Sequence, residues 1–413
     1  MCRPHPALIP LAILALLTTA CSGSPESSPG TSGASGSPGG SVTPGGSDSP
    51  GLSSTPGGSV SPGLSSTPGA PNTSGTPTSS PASPTGTPTW TRILRQPVDG
   101  QHIVTQQRKY LVTRASDDAG TTTVTDRASH QVVVRHAPAA GFVAQSPVVI
   151  DDRWALIEEI RSDGSSPEIR AYRYDLTTGK RTDLAKQKGL PRISEPEIGA
   201  YNGIFAYSST DSRSRSCLVV AALDSLTART VTCVPDPGYV ADPVVSGDSV
   251  TFSEITAPQT PQRCKRLLTA SLSAGPARPI PATRTCIQWS GASLRGATIW
   301  SEVGATDPDQ YQSRAYLRES TDAPAQSLGP IITDTIVACG NWIHWESRTT
   351  TNGAESYQVL RWQPTLSGPQ PIYTSPPNTA ITAPVCQDHT LFIEAAHLGA
   401  TPKYTEALQL PTT

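Results

Sequence analysis

A short apolar run, a tight polar turn, a second apolar run and a closing polar residue form a cassette that returns seven times along this chain. ADPVVSGDSVTFSE, ending at Glu254, shows it most fully. The other copies end at Thr113, Glu158, Ser208, Glu302, Glu346 and Glu394, so successive copies lie 45, 50, 46, 48, 44 and 48 residues apart. Periods of this length belong to solenoids, propellers or arrays, and what each repeat contains decides among them.

Each copy reads as strands. Val148-Val149-Ile150 and Trp154-Ala155-Leu156-Ile157 flank Asp151-Asp152, and residues 199–201 and 204–207 flank Asn202-Gly203. Asn-Gly between apolar runs signals a type I′ hairpin, because both central residues need positive φ. Gly247-Asp248, Arg295-Gly296 and Gly340-Asn341 hold the same place. The apolar residues run continuously, as in a sheet covered on both faces, and no segment of about ten residues shows the i, i+3, i+4 spacing of a helix. A second hairpin follows in each repeat, as in 169–176 with 180–184 around Thr177-Thr178-Gly179, and 217–223 with 229–234. Four antiparallel strands per repeat make a propeller blade. The expected fold is all-β, a seven-bladed β-propeller over residues 90–413; a two-sheet sandwich would not need a constant period.

The chain's ends suggest how the ring closes. After the seventh cassette only one more strand fits, at 404–410, and that blade lacks its outer strand. An orphan strand, WTRILRQ at 90–96, precedes the first cassette. The expectation is that this N-terminal strand completes the last blade and leaves no inner edge exposed.

The first 89 residues are of another kind. Residues 1–20 carry Arg3 and an apolar core over 7–17, too short to span a bilayer as a helix. The segment ends Leu17-Thr18-Thr19-Ala20-Cys21, which resembles a bacterial lipoprotein signal with Cys21 as the acylated residue. Thr18 departs from the usual pattern, and Thr18-Thr19-Ala20 also satisfies an ordinary small-x-small cleavage. The resemblance implies attachment to the cell membrane on its extracytoplasmic face, through several acyl chains, palmitate among them, where one chain would hold only weakly. Residues 21–89 are a Ser, Gly, Pro and Thr tract with only Glu26 and Asp48 charged, and SPGLSSTPG occurs in it twice. Such a composition predicts a disordered linker, with a mean reach of roughly 45 Å as a flexible coil.

Cysteine placement agrees with export. Cys2 leaves with the leader and Cys21 is the acylation site, so six of the eight remain. Cys217 and Cys233 are equidistant from a turn near Ser225, and Cys264 and Cys286 from a turn near Gly275, so each pair is expected to face across one hairpin. Closing a loop of about 15 residues stabilises by about 3 kcal/mol in the chain-entropy model. Cys339 and Cys386 hold matching places in the sixth and seventh cassettes and are positioned to bridge neighbouring blades. Metal binding is the weaker reading, with no CxxC and no His at ligand spacing.

Composition excludes more than it assigns. The net charge of −2 creates no field for nucleic acid, and a single chain of this kind is expected as a monomer. The sequence holds no HExxH, GxSxG, P-loop or helix-opening GxGxxG, so no cofactor or catalytic residue is assigned. Asp307-Pro308-Asp309 lacks the further carboxylates of a calcium loop. Trp154, Trp300, Trp342 and Trp345 lie within strands and read as packing between blades.

Five acidic residues hold one equivalent place: Glu158, Glu254, Glu302, Glu346 and Glu394, where the second strand of each repeat ends. The longer loops follow at that end, at 161–167, 210–215, 256–262, 304–312 and 348–355. Loops gathered on one rim of a rigid scaffold are where binding resides. One reading is an acidic ring that receives a cationic or polyhydroxylated ligand; the other is that each Glu caps backbone N–H groups or pairs with a neighbouring Arg.

Taken as a whole, residues 90–413, with runs ending IWSE, FAYS and TFSE, resemble the exported TolB-like and WD40-like propeller proteins of actinobacteria. The SPDG turn typical of TolB-type repeats is replaced here by Asp151-Asp152, Asn202-Gly203 and Gly247-Asp248. The resemblance implies a scaffold and no substrate. Two functions are weighed for the chain: a tethered binding or scaffolding module for an envelope protein or polymer, or a propeller hydrolase or lyase acting on envelope glycans through rim carboxylates.

Overall fold

The computed structural model describes residues 88–97, 102–106, 109–115, 120–145, 149–151, 153–162, 168–256, 264–273, 275–283, 286–303, 313–320, 322–351, 354–387 and 389–412. The expected leader, Cys21 and nearly all of the linker lie outside the described residues, as do the segments 163–167, 257–263 and 304–312.

Seven antiparallel sheets form, one per repeat, each ordered first-second-third-fourth from the axis outward. The third blade is the most regular: Gly199–Tyr201, Ile204–Thr210, Ser216–Ala222 and Ala228–Val234. Its first hairpin turns on Asn202 (φ 49°) and Gly203 (φ 75°), the two positive φ values of the type I′ turn that the Asn-Gly pair predicts. Arg295 (φ 51°) and Gly296 (φ 85°) repeat that geometry in the fifth blade. In the second blade the first strand is split, Phe142–Ala144 and Val149–Ile150 both pairing with Trp154–Arg161. Its outer strand is only Arg181–Asp183, and Leu184 opens a short 3-10 turn where the strand was expected to continue.

The ring closes as the orphan strand suggests. Thr91–Pro97 pairs antiparallel with Tyr404–Pro411, from Thr91↔Gln409 to Pro97↔Tyr404, and becomes the outer strand of the seventh blade. Trp90 anchors its start, donating Nε1–H to the carbonyl of Ile372 at 2.7 Å and meeting Tyr373 edge-on in the sixth blade. Arg95 lies 3.6 Å over the Tyr404 ring.

Core formation follows from the continuous apolar runs. Each sheet buries both faces against its neighbours, so the hydrophobic clusters sit between blades: Tyr110 and Val124 with Ile157 and Tyr174, Leu156 with Phe205 and Tyr207, Leu218 with Phe252, Leu267 with Trp300, Ile299 with Trp345 and Trp362, Val359 with Ile393. Trp154, Trp300, Trp342 and Trp345 are all buried. At the seam of the first two blades, the buried His136 bridges Tyr174 Oη (2.7 Å) and Glu159 Oε1 (2.9 Å).

All six cysteines of the propeller are paired. Cys217 and Cys233 face each other in register across the outer hairpin of the third blade. Cys339–Cys386 joins the first strands of the sixth and seventh blades. Cys264–Cys286 departs from expectation in its setting. The outer strand of the fourth blade is only Arg278–Pro279, so Cys286 has already left the hairpin and sits, at φ 68°, in the connection to the fifth blade. The adjacent Ile287 makes a parallel bridge to Lys265.

Candidate functional site

The five equivalent glutamates occupy the expected place at the ends of the second strands, but as part of the sheet interior. They are 3–9% exposed and do not form a solvent-facing ring. Three are engaged by neighbours. Glu254 binds Arg266 across the register at 2.7 Å. Glu302 accepts from Thr283 N–H (2.8 Å) and Trp300 Nε1–H (2.8 Å), and Glu394 lies within electrostatic reach of Arg114. Burial pushes Glu158 and Glu346 up to about 8, and Glu158 Oε1 has no hydrogen-bond partner among the described residues. These two carboxyls belong to the second and sixth blades, and burial alone raises each, with no contribution from the other.

Their elevation has a measurable consequence. A carboxyl whose folded pKa stands above its unfolded value holds its proton more tightly in the folded state, so its contribution is complete at pH 4 and is lost as pH rises through 8. Thermal unfolding followed from pH 5 to 8 is expected to show a falling Tm, with a shallower fall in Glu158→Gln. A slope unchanged in that variant would contradict the assignment.

The charged groups that do converge lie where the first strands of the third to sixth blades begin, on the same face as the second-strand ends. Glu197 leads into Gly199–Tyr201, Asp242 lies in Tyr239–Ser246, Trp289 in Gln288–Leu294, and Asp334 ahead of Val337–Cys339. Glu197 and Asp242 stand equally far ahead of the turns Asn202-Gly203 and Gly247-Asp248, so the repeat puts both at the same height. A bulge between Ala241 and Val244 lifts Asp242 off the ladder at φ 50°, and Asp334 is likewise left-handed at φ 61°. Bulges of this kind re-aim side chains beside functional sites.

Contacts knit the group together. Glu197 Oε2 accepts the Asp242 N–H at 2.9 Å. Lys265 Nζ reaches Asp242 Oδ2 at 2.5 Å and lies 3.9 Å over the Trp289 ring. Trp289 Nε1–H donates to Asp334 Oδ2 at 2.6 Å, and the Asp334 N–H donates to Ser290 Oγ. The Lys265 side chain is 5% exposed, whereas Trp289 is half-buried and Glu197 and Asp334 are open to water. The surrounding protein and the Asp242 carboxylate push Glu197 well above the carboxylate range. Burial also raises Asp242, but the Lys265 ammonium and hydrogen bonds from Glu197, Lys265 and Ser253 outweigh it and hold that group low. Asp334 is raised by the protein around it, with Lys265 opposing.

Two local devices place these groups. The Cys264–Cys286 disulfide flanks Lys265 and draws the segment before Trp289 alongside it. Gly199 permits the third and fourth blades to meet, since a Cβ there would lie 1.8 Å from the Pro243 carbonyl oxygen. Gly199→Ala is therefore expected to force the two first strands apart and lower Tm by several degrees, an overpacking cost of about 1–3 kcal/mol. An unchanged melting curve would show that the contact is not rigid.

Sequence patterning placed five acids at the second-strand ends, where they are 3–9% exposed, and singled out none of the mouth residues as a site. The signals for the mouth residues were slight: acids ahead of or inside first strands at Glu197, Asp242 and Asp334, a lysine next to Cys264, and a tryptophan near the start of a first strand. Of the loops expected to border this face, 210–215 is a tight turn held by Asp211 and Arg215, and 348–355 is an extension of the sixth blade's hairpin, Trp342–Thr351 with Ala354–Trp362. Among the described residues the one trio of ligand-type atoms within 4.8 Å of one another is Asp211, Cys217 and Cys233. Its sulfurs form a disulfide and its carboxylate binds Arg215.

No family model matches this chain, and no curated protein matches it. Among solved structures it is similar to the β-propeller domain of the Trilobed protease from Pyrococcus furiosus, with a TM-score of 0.49 and 9% identity over 76% of this chain and 96% of that one. It is also similar to BamB from Moraxella catarrhalis (TM-score 0.43, 12% identity, 78% of this chain and 100% of that one). An oligogalacturonate lyase in complex with manganese matches at a TM-score of 0.38 and 15% identity, over 65% of this chain and 74% of that one. At these identities the likeness concerns the propeller fold and nothing of activity.

Proposed function

We propose that this chain is a membrane-tethered, extracytoplasmic β-propeller lipoprotein that acts as a binding or scaffolding module for a cell-envelope partner, received at the axial mouth formed by Glu197, Asp242, Lys265, Trp289 and Asp334. The observation that carries this reading is the convergence of those side chains from four different blades onto one water-accessible patch. A scaffold that brings charged and aromatic groups together on one face is built for recognition. Glu197 and Asp242 touch, so these two do not form a glycosidase pair, whose carboxyls stand about 5 Å apart or more to leave room for the sugar and water.

Recovery of partners by the full chain from envelope extract, with Trp289→Ala/Asp334→Asn as the comparison, tests the site. Species retained by the wild type and lost from the variant support the reading; equal recovery by both would remove the mouth from it. The tether has its own check. Cys21→Ala is expected to move the protein from the membrane fraction to the soluble fraction, and retention in the membrane would contradict acylation at Cys21.

A further inference from the structure

Of the features not absorbed by the fold, three stand out. His344 is buried with neither ring nitrogen partnered, but the packed sixth blade encloses it and offers no access. A small apolar cavity under Leu184 and Ile193 has no polar group to orient a ligand beyond the edge residue Arg192. The axial mouth has both access and chemistry.

We propose that the mouth binds a neutral polyhydroxylated ligand, a glycan segment, with one sugar ring seated against Trp289. The inference rests on the mouth being the binding site and names the class of ligand it takes. Lys265 is almost wholly buried and lies over one face of the indole, while Trp289 itself keeps part of its surface exposed. An exposed aromatic surface pinned from behind and hydrogen-bonded at its nitrogen is a rigid platform for the C–H face of a sugar.

Around this floor the polar groups are dense, mixed in direction and nearly balanced in charge. Lys265 and Asp242 neutralise one another at 2.5 Å. Glu197 accepts the Asp242 N–H through Oε2 and is open to water. Asp334 accepts, and it is open to water. Hydroxyl groups, which donate and accept at once, match such a set; a formal ion does not. A cation would meet the Lys265 ammonium. The three carboxyls do not bring their oxygens within 4.8 Å of one another, so they are not a preformed chelate. An anion would face Asp242 and Asp334.

Calorimetric titration of the full chain with neutral oligosaccharides (chitotetraose, mannotetraose and a galactan tetramer), with spermidine and inorganic phosphate alongside, decides the matter. At least one saccharide is expected to saturate a single site. Trp289→Ala and Asp334→Asn should each weaken it about tenfold or more, while Trp289→Phe, which keeps a ring, retains most of the affinity. If Trp289→Ala does not fold, Asp334→Asn, on an exposed side chain, reads the same site. Binding of spermidine or phosphate in preference, no saccharide binding, or an affinity unchanged in both the tryptophan and aspartate variants would overturn the proposal. Mouth-dependent recovery of an envelope partner without saccharide binding would sink the ligand class and leave the binding function standing.

Discussion

A chain lacking residues 90–97 is expected to lose most of its stability. The deleted strand supplies the outer ladder of the seventh blade over the whole register from Thr91↔Gln409 to Pro97↔Tyr404. It also takes away the Trp90 bond to Ile372 and the Arg95 stack on Tyr404. Each ladder bond contributes a net ~0.5–1.5 kcal/mol. Their joint loss, with the packing of Trp90 and Leu94, is comparable to the ~5–15 kcal/mol that holds a typical domain folded. The cost is more than local, because the seventh blade carries the chain's last strand and a ring opened at one blade exposes the edge of Tyr404–Pro411. Calorimetric unfolding of the shortened and full chains, at equal concentration, is the measurement. A Tm shift of only a degree or two would mean that the last blade holds without its clasp.

Lys265→Met should be the most damaging single substitution in the mouth. Its ammonium lies 2.5 Å from Asp242, with side chains 5% and 19% exposed. Removing one member of a buried ion pair costs about 3–5 kcal/mol, since the remaining charge is left uncompensated. The partial exposure of Asp242 and its bonds to Glu197 and Ser253 place the expectation at the lower end of that range. Asp242 is held below its unfolded pKa, so its contribution is present above that value and is lost as pH falls through the depressed one. The penalty of Lys265→Met should therefore be full at pH 7 and shrink as pH approaches 3. Lys265→Met/Asp242→Asn should recover much of the loss, because both members are then uncharged. A double variant no better than the single one would show that Lys265 acts through packing on Trp289 instead.

The particular elements show why some of this was legible beforehand. A hairpin is local: the Asn202-Gly203 turn, the alignment of Cys217 with Cys233 and the orphan strand at 90–96 depend on residues close in sequence or on a missing partner, and each could be read from spacing. Cys286 was misplaced because the fourth blade's outer strand shrinks to Arg278–Pro279, which symmetry about a turn does not reveal. The recurring glutamates were visible as a pattern, yet their surroundings come from neighbouring strands: Arg266 for Glu254, Thr283 and Trp300 for Glu302, an apolar interior for Glu158. A period reports where a residue stands in its own repeat, not what the next repeat brings against it.

The amino-acid order by itself thus determined the number of sheets, their antiparallel hairpins, the strand that clasps the ring and the face toward which the second strands run, because those follow from turn chemistry and hydrophobic period. The tertiary structure alone decided the mouth. Glu197, Asp242, Lys265, Trp289 and Asp334 come from four blades, and closing the ring, the Asp242 bulge, the close approach at Gly199 and the disulfide beside Lys265 bring them into contact. Contacts between distant repeats depend on how the sheets pack around the axis, and no local pattern encodes that.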